Sequence, residues 1–275
     1  MVPDPWFVRS APAEPRMRLY CFPYAGGSAG VFSQWRKRVD GDIEVCAVQL
    51  PGRGTRFHEL PVRDLDLLVD VLAERIAGQP PLPFAFFGHS LGALVAFEVS
   101  SRLQEIGGAL PLGLMVSGCS SPRLREPPEN LHLLPKDELI RALQNYQGTP
   151  AEVLNNAELM ELVLPVLRAD FALAERYQYV PRPPLAMPIA VLAGRDDEYT
   201  TLEQVDAWRL ETTGTCEVHW FDGHHFFLQK QADAVNLYVN AQLSAWRSMA
   251  SQCNPPTRAQ VSITDVIRVA SSSMR

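Results

Sequence analysis

The stretch "FFGHSLGALVAFEVSSRLQ" (86–104) changes its pattern part-way along. Its first residues continue an apolar run that begins at Phe84, as in a buried strand, whereas apolar side chains recur at helical spacing after Leu91. Between the two patterns stands "GHSLG" (88–92), which is a G-x-S-x-G turn. Flanking glycines let the strand and helix pass closely, and the serine is held in a strained conformation with its Oγ exposed. The stretch therefore predicts that Ser90 is a nucleophile at the start of a helix.

Short apolar runs alternate with helical patterns along the chain. Several runs are apolar almost throughout, as expected for parallel strands that are covered on both faces. The predicted strands are "MRLYCFP" (17–23), "IEVCAVQL" (43–50), "FAFFGH" (84–89), "LGLMVSG" (112–118), "IAVLAG" (189–194) and "CEVHWF" (216–221). Between them, residues 65–77 and 91–106 carry the apolar stripe of helices that pack on a sheet. This alternation predicts an α/β fold with one mostly parallel, doubly wound sheet.

One long segment carries no convincing strand. Residues 120–184 show only helical stretches bounded by proline, and a segment of this length exceeds a normal loop. The helical stretches are 136–146, 151–163 and 165–180. We therefore predict a domain over residues 1–249 with a helical lid inserted at about 120–184. Residues 250–275 lose the helical pattern and gain Pro and Ser, so we predict a mobile tail there.

The composition limits the class of partner. The formal net charge of the 275 residues is −6, which argues against a nucleic-acid surface because duplex binding depends on neutralising phosphates. Neither a membrane span nor a signal peptide is visible, so no membrane association is expected. Five scattered cysteines without a C-x-x-C pair suit a reducing compartment. We therefore expect a cytoplasmic protein.

A nucleophilic serine needs a base beside it and an acid that orients the base. On this fold, the expected order along the chain is Ser, then Asp or Glu, then His. The segment "DGHHFFL" (222–228) follows the last predicted strand and places His224 and His225 on a loop that faces Ser90. His219 lies inside that strand, where a structural role is expected. The pattern predicts that one of the two loop histidines is the base.

The acid is expected at the end of an earlier strand. The segment "IAVLAGRDDEY" (189–199) supplies Asp196 and Asp197 directly after a buried strand, whereas "CSSPR" (119–123) offers no acid after the preceding one. One aspartate is then free to orient the base while the other caps a helix or is solvated. The acid is therefore Asp196 or Asp197.

An oxyanion hole needs two N–H donors. One is the backbone N–H of Leu91, directly after the nucleophile, and the other is expected from "FPYAGGSAG" (22–30), whose small residues suit a bent loop. A phosphate-binding loop is the alternative interpretation of this segment. Neither G-x-G-x-x-G nor G-x-x-x-x-G-K-[ST] is present, so we discount it. The mechanism requires no metal and no organic cofactor.

Five motifs together resemble the stand-alone type II thioesterases of polyketide and non-ribosomal peptide synthesis. In chain order they are "FPYAGGSAGVFSQW" (22–35), "VQLPGRGTRF" (48–57), "FFGHSLGALVAFE" (86–98), "LRADFALAERYQY" (167–179) and "GHHFFL" (223–228). The resemblance implies an α/β-hydrolase fold with a helical lid. It also implies hydrolysis of acyl thioesters from the phosphopantetheine arm of acyl or peptidyl carrier proteins. In that family the enzymes unload stalled or misprimed carriers.

The resemblance also implies roles for individual residues. The family's G-G-H-F-F-L corresponds to residues 223–228, so the base falls on His225. The implied site consists of Ser90, Asp197 and His225 as a triad, with the N–H groups of Ala25 and Leu91 as the oxyanion hole. The family's acid is commonly followed by Pro, whereas Asp197 is followed by Glu198, so Asp196 stays as the alternative acid.

Other functions remain open at this point. A carboxylesterase, a lipase or a medium-chain acyl thioester hydrolase would use the same triad, and preference for carrier-bound thioesters over oxygen esters distinguishes them. A catalytically inactive hydrolase fold that acts as a binding protein is the remaining alternative, which absence of labelling by a serine-directed fluorophosphonate would favour. The five motifs favour the carrier-directed thioesterase.

Overall fold

The chain folds around a mostly parallel β-sheet with helices on both faces. The computed structural model describes residues 4–126, 129–146 and 148–253. The strands of these residues are β1 (Phe7–Arg9), β2 (Met17–Phe22), β3 (Ile43–Val48), β4 (Phe84–His89), β5 (Leu114–Ser117), β6 (Ile189–Gly194) and β7 (Cys216–Phe221). Their spatial order is β1-β3-β2-β4-β5-β6-β7, in which β1 is antiparallel to β3 and the other pairs are parallel. The predicted fold class is confirmed.

Helices cover both faces of the sheet and fill the predicted lid. In the described residues they are α1 (Leu65–Ala77), α2 (Leu91–Glu105), α3 (Lys136–Tyr146), α4 (Ala151–Leu154), α5 (Ala157–Glu175), α6 (Leu202–Asp206), α7 (Phe227–Lys230) and α8 (Ala232–Cys253). The bounds of α1 match the prediction, and α2 ends one residue earlier than predicted. Helices α3 to α5 lie between β5 and β6, where the lid was predicted. No helix of the described residues has the length and apolar character to cross a bilayer.

One strand and one helix of the fold differ from the prediction. The short strand β1 was not predicted, because three residues are too few to show a period. Helix α5 is continuous through Pro165, where the pattern predicted a break between two helices. Proline removes one backbone donor and crowds the preceding turn. Here the residues on both sides of it, Leu164 and Val166, are buried, so packing keeps the helix whole.

The final helix also differs from the predicted boundary of the domain. Helix α8 runs to Cys253, four residues beyond the predicted end at Met249. Its inward face is buried in the core at Val235, Val239 and Leu243, so the helix is held by packing up to its last turns. The rest of the predicted tail, from residue 254, lies outside the described residues.

The strands alternate their side chains between two apolar clusters. Tyr20 and Phe22 of β2 pack with α1 and α2, whereas Leu19 and Cys21 face the opposite side, where α8 packs. The same alternation holds in β4, which is buried throughout. A sheet covered on both faces fixes the positions of its strand ends, and the loops at those ends carry the chemistry.

The strand order places a crevice beside the predicted nucleophile. From β2 the chain goes to β3 on one side, and it then returns across β2 to place β4 on the other side. The loops after β2 and β4 therefore diverge at neighbouring strand ends, which is the topological switch point where open α/β sheets bind ligands. Ser90 follows β4, and the segment 23–27 follows β2.

Candidate active site

Ser90 occupies the strained turn that the sequence predicts. Its φ of 53° and ψ of −117° lie in a region that few residues other than glycine adopt. The turn is tightly packed, since a Cβ on Gly88 would lie 2.2 Å from the carbonyl oxygen of Gly92. A Cβ on Gly92 would lie 2.1 Å from the carbonyl oxygen of Phe22. Both flanking glycines are therefore required by close backbone contacts, and Ser90 is held at the N-terminus of α2.

The structure brings Asp197 and His225 into direct contact. The Nδ1 of His225 donates to Oδ2 of Asp197 over 2.9 Å, and both side chains are buried. The other carboxylate oxygen of Asp197 accepts the backbone N–H of Tyr199 over 3.0 Å, which fixes the plane of the carboxylate. The Nε2 of His225 is buried and makes no hydrogen bond within the described residues. This nitrogen is thus available to a group in the neighbouring cavity.

The alternative residues lie elsewhere. Asp196 is exposed, and its backbone carbonyl lies 2.9 Å from the Nδ1 of His224, which is also exposed. In each pair of neighbours, Asp196–Asp197 and His224–His225, the first side chain is exposed and the second is buried. His219 lies on the outer face of β7, where its ring packs at 4.5 Å from the ring of Tyr238. Neither His219 nor His224 therefore takes the place of His225 beside the Asp197 carboxylate.

A second histidine, His89, lies beneath the site. It is fully buried, and its Nδ1 is 2.9 Å from the Oγ of Ser117. Its ring centre lies 5.2 Å from that of His225 and 5.8 Å from that of Tyr24. Burial, together with the neighbouring His225, holds the pKa of His89 well below its ordinary value, so it is neutral. The sequence predicts no role for His89, because it occupies a variable position of the G-x-S-x-G motif.

Ser90 and His225 line the same cavity, whose volume is about 580 Å³. Ala25 and Leu91, the predicted oxyanion donors, also line it. Lid residues form the opposite wall, among them Phe171 and Ala174 of α5. Of the five residues of the predicted site, the four other than Asp197 line this cavity, and Asp197 contacts it through His225. Within the described residues no cluster of His, Cys, Asp and Glu side chains is suited to hold a metal ion.

Comparisons with known proteins agree with this geometry. A family model described as a thioesterase domain matches residues 17–243. The chain belongs to the thioesterase family. The gramicidin S biosynthesis protein GrsT of Aneurinibacillus migulanus is 40% identical over 224 residues, which cover 81% of this chain and 88% of GrsT.

Solved structures resemble this thioesterase over most of its length. The type II thioesterase BorB from the borrelidin biosynthetic cluster has a TM-score of 0.81 and 36% identity, covering 87% of this chain and 98% of BorB. The type II thioesterase YbtT from the yersiniabactin NRPS/PKS biosynthetic pathway has a TM-score of 0.76 and 32% identity, covering 88% of this chain and 99% of YbtT. The resemblance predicted from the five motifs is therefore confirmed.

The lid of the thioesterase closes over the site with an aromatic residue. Tyr146 ends α3, and its ring centre lies 4.3 Å from that of Tyr199 and 5.6 Å from that of His225. Its ring also lies 6.0 Å from Phe171 of α5. Burial raises the pKa of the Tyr146 phenol, so the hydroxyl stays protonated at neutral pH. Tyr146 therefore forms the part of the lid that lies directly against His225.

Proposed function

We propose that this thioesterase hydrolyses acyl thioesters carried on the phosphopantetheine arm of acyl or peptidyl carrier proteins. The observation that carries the proposal is the strained Ser90 turn, which shares a cavity with the buried His225–Asp197 pair. Relatives that are type II thioesterases of biosynthetic pathways support the carrier as the source of the acyl group. The protein would thereby unload carriers that hold the wrong or a stalled acyl group.

The proposed reaction has two steps and uses Ser90 as the nucleophile. His225 Nε2 takes the proton from Ser90 as the Oγ attacks the thioester carbonyl, and Asp197 stabilises the imidazolium that forms. The backbone N–H groups of Ala25 and Leu91 hold the oxyanion of the tetrahedral intermediate. The carbon–sulfur bond then breaks, and the pantetheine sulfur leaves with the proton from His225.

Water completes the reaction in the second step. His225, neutral again, takes a proton from a water molecule, which attacks the acyl-enzyme ester. The second tetrahedral intermediate collapses, and the free carboxylic acid leaves as His225 returns the proton to Ser90 Oγ. Both steps use the same side chains and the same two backbone N–H donors. The proposed mechanism therefore includes no metal and no organic cofactor.

The lining of the cavity bears on the alternative functions, a carboxylesterase or lipase or a medium-chain acyl thioester hydrolase. Around the site the wall carries hydroxyl and charged groups, which an alkyl chain does not satisfy. Those remote from the triad include Arg125, Glu129, Tyr177, Tyr179 and Thr201. Leu131, Phe171 and Ala174 line the same cavity, so the wall offers both polar and apolar surface to an acyl group. Short or polar acyl groups fit this mixed wall, whereas a long alkyl chain would desolvate polar side chains along part of its length.

The compartment is part of the proposal. Cys21, Cys46, Cys119 and Cys216 are unpaired, and the first three of them are buried. Burial raises the pKa of the Cys46 thiol to about 12, so it is an inert core group. Unpaired buried thiols are typical of proteins in a reducing environment. We therefore propose a cytoplasmic location, where carrier-dependent synthesis takes place.

The decisive experiment compares thioesters on a carrier protein with oxygen esters of the same acyl groups. Wild-type protein is expected to prefer the carrier thioesters, and Ser90→Ala is expected to lose about 10⁴-fold or more in kcat while remaining folded. A serine-directed fluorophosphonate should label the wild type and not the variant. Near-normal turnover by folded Ser90→Ala protein would overturn the mechanism, whereas preference for oxygen esters would indicate an esterase.

A further inference from the structure

Two motifs have no part in the proposed triad, and the structure brings them together. Arg53 lies in "LPGRGTRF" (50–57), after β3, and Asp170 lies in "LRADF" (167–171) of α5. Both side chains are buried, and Nη1 and Nη2 of Arg53 donate to the two carboxylate oxygens over 2.5 and 2.7 Å. Because charges lose hydration on burial, such a pair is weak evidence for stability by itself.

The Asp170 carboxylate also holds the loop after β2. Its Oδ2 accepts the backbone N–H of Gly26 over 2.7 Å, and Arg53 Nη1 donates to the carbonyl of Gly27 over 3.2 Å. One turn earlier in α5, Leu167 packs directly on Gly26, where an added Cβ would lie 2.6 Å from Leu167 Cδ2. Helix α5 thus contacts the loop at two points.

These contacts fix a turn of four residues, Tyr24–Gly27, which we call the oxyanion turn. The N–H of Gly27 donates to the carbonyl of Tyr24 over 2.8 Å, and Gly26 has the positive φ of 77° that a type II turn needs at its third residue. In a trans peptide, C=O and N–H point in opposite directions. The N–H of Ala25 therefore points away from the bond that the Tyr24 carbonyl makes, and its direction depends on the turn.

We propose that Asp170 and Arg53 are positioning residues that orient the Ala25 N–H toward the oxyanion. The proposal rests on the proposed hydrolase function, in which this N–H is one of two donors. Asp170 supplies the acceptor that keeps the Ala25–Gly26 peptide in place, and Arg53 keeps the carboxylate aligned through two hydrogen bonds. The turn is thereby fixed before substrate arrives, so the donor needs no reorganisation in the transition state.

Removing the acceptor should lower kcat and leave KM nearly unchanged. The oxyanion forms only in the transition state, so its donor contributes little to ground-state binding. Loss of one oxyanion donor typically lowers kcat by about 10²–10³-fold. Single variants of the ion pair would leave a buried charge without a partner and destabilise the fold, so the test uses double variants.

The experiment compares Arg53→Met/Asp170→Asn with Arg53→Met/Asp170→Leu. Both replace the ion pair by uncharged groups of similar volume, but only Asn keeps an acceptor for the Gly26 N–H. We expect kcat of the Leu variant to be about 10²-fold below that of the Asn variant, with KM nearly equal in the two. Affinity for an acyl trifluoromethyl ketone, whose adduct with Ser90 carries an oxyanion, should fall in parallel with kcat.

Two outcomes separate this proposal from the proposed function. Equal kcat values and equal ketone affinities in the two double variants, at matched free energies of unfolding, would overturn the positioning role and leave the hydrolase intact. Wild-type protein that hydrolyses no acyl thioester would overturn the proposed function. The ketone affinity would still decide the positioning role in that case, because it reports on the oxyanion turn without turnover.

Discussion

Neighbouring residues of the same type have opposite fates at this site. Asp197 and His225 are buried and bonded to each other, whereas Asp196 and His224 are exposed and meet through a backbone carbonyl. The backbone decides between them, because Asp196 N–H is bonded to the carbonyl of Gly223 over 3.0 Å. That bond joins the two loops in a register that turns the second member of each pair inward.

The choice between the two aspartates is testable by removing one charge at a time. Asp197→Asn is expected to lower kcat by about 10⁴-fold, because the amide favours the wrong tautomer of His225. Asp196→Asn serves as the matched control and should keep most of the activity, since its side chain is exposed. Steady-state kinetics with a carrier thioester measure both. A larger loss in the Asp196 variant would move the acid by one residue.

Burial of His89 makes the stability of the protein depend on pH. Its pKa lies well below the ordinary value of about 6.5, so below that pH the unfolded chain binds a proton that the folded chain does not. The free energy of unfolding is therefore expected to fall as the pH drops below about 6.5, by up to about 1.4 kcal/mol per pH unit from this group.

Urea unfolding at several pH values between neutral and mildly acidic measures this slope. His89→Gln removes the titrating group and keeps a polar partner for Ser117 Oγ, so its slope is expected to be smaller than that of the wild type. Identical slopes in the two proteins would show that His89 is already protonated in the folded state.

At the scale of elements, α5 combines two tasks on one face. Leu167 and Asp170 hold the oxyanion turn, while Phe171 and Ala174 line the cavity. These positions are three and four residues apart, so they share one side of the helix. The buried Arg53–Asp170 pair fixes α5 to the loop after β3, and Asp170 fixes it to the loop after β2.

Filling the cavity from α5 should change acyl preference without changing the triad. Ala174→Phe adds a ring to the cavity wall, so turnover of longer acyl groups is expected to fall relative to acetyl. Leu162→Phe is the matched control, because Leu162 lies on the same helix but is exposed and outside the cavity lining. Labelling by a small fluorophosphonate should proceed at the wild-type rate in both variants. Equal slowing of all substrates and the probe by Ala174→Phe would indicate general damage to the site.

At the scale of the whole molecule, the sequence was informative where a local pattern has a single structural solution. Parallel strands that are apolar on both faces, and helix α1 with its capping Asp64, are of this kind. Likewise, the G-x-S-x-G turn requires close backbone contacts that only glycine permits. These features located the sheet and the strained turn at Ser90.

Other features depend on contacts between distant segments, so local patterns do not contain them. The continuity of α5 through Pro165 is due to burial on both sides, and the Arg53–Asp170 pair joins residues 117 positions apart. The pairing of His225 with Asp197 depends on the register of two loops. Each of these is decided by tertiary packing, which overrides local propensity.

The extent of the domain can be tested by truncation. A chain that ends at Cys253 is expected to keep wild-type thermal stability and turnover, because the family match ends at residue 243 and α8 ends at Cys253. A chain that ends at Gln242 should be strongly destabilised, since it lacks the buried side chains of Leu243 and Trp246. Thermal unfolding compares the two with the full chain. Loss of activity in the chain that ends at Cys253 would assign a role to residues 254–275.

The anchoring of α5 has a consequence for recombination between related enzymes. A lid transplanted from a relative would bring its own residue to position 170, while the recipient body supplies residue 53. If the two do not match, the graft leaves a buried charge without a counter-charge and an oxyanion turn without its acceptor. Productive crossover points are therefore expected before α3 and between α4 and α5, so that a donor's α3 and α4 are exchanged while α5 stays with its body. The part of the lid that can be exchanged to obtain new acyl specificities is therefore α3 and α4, not the whole lid.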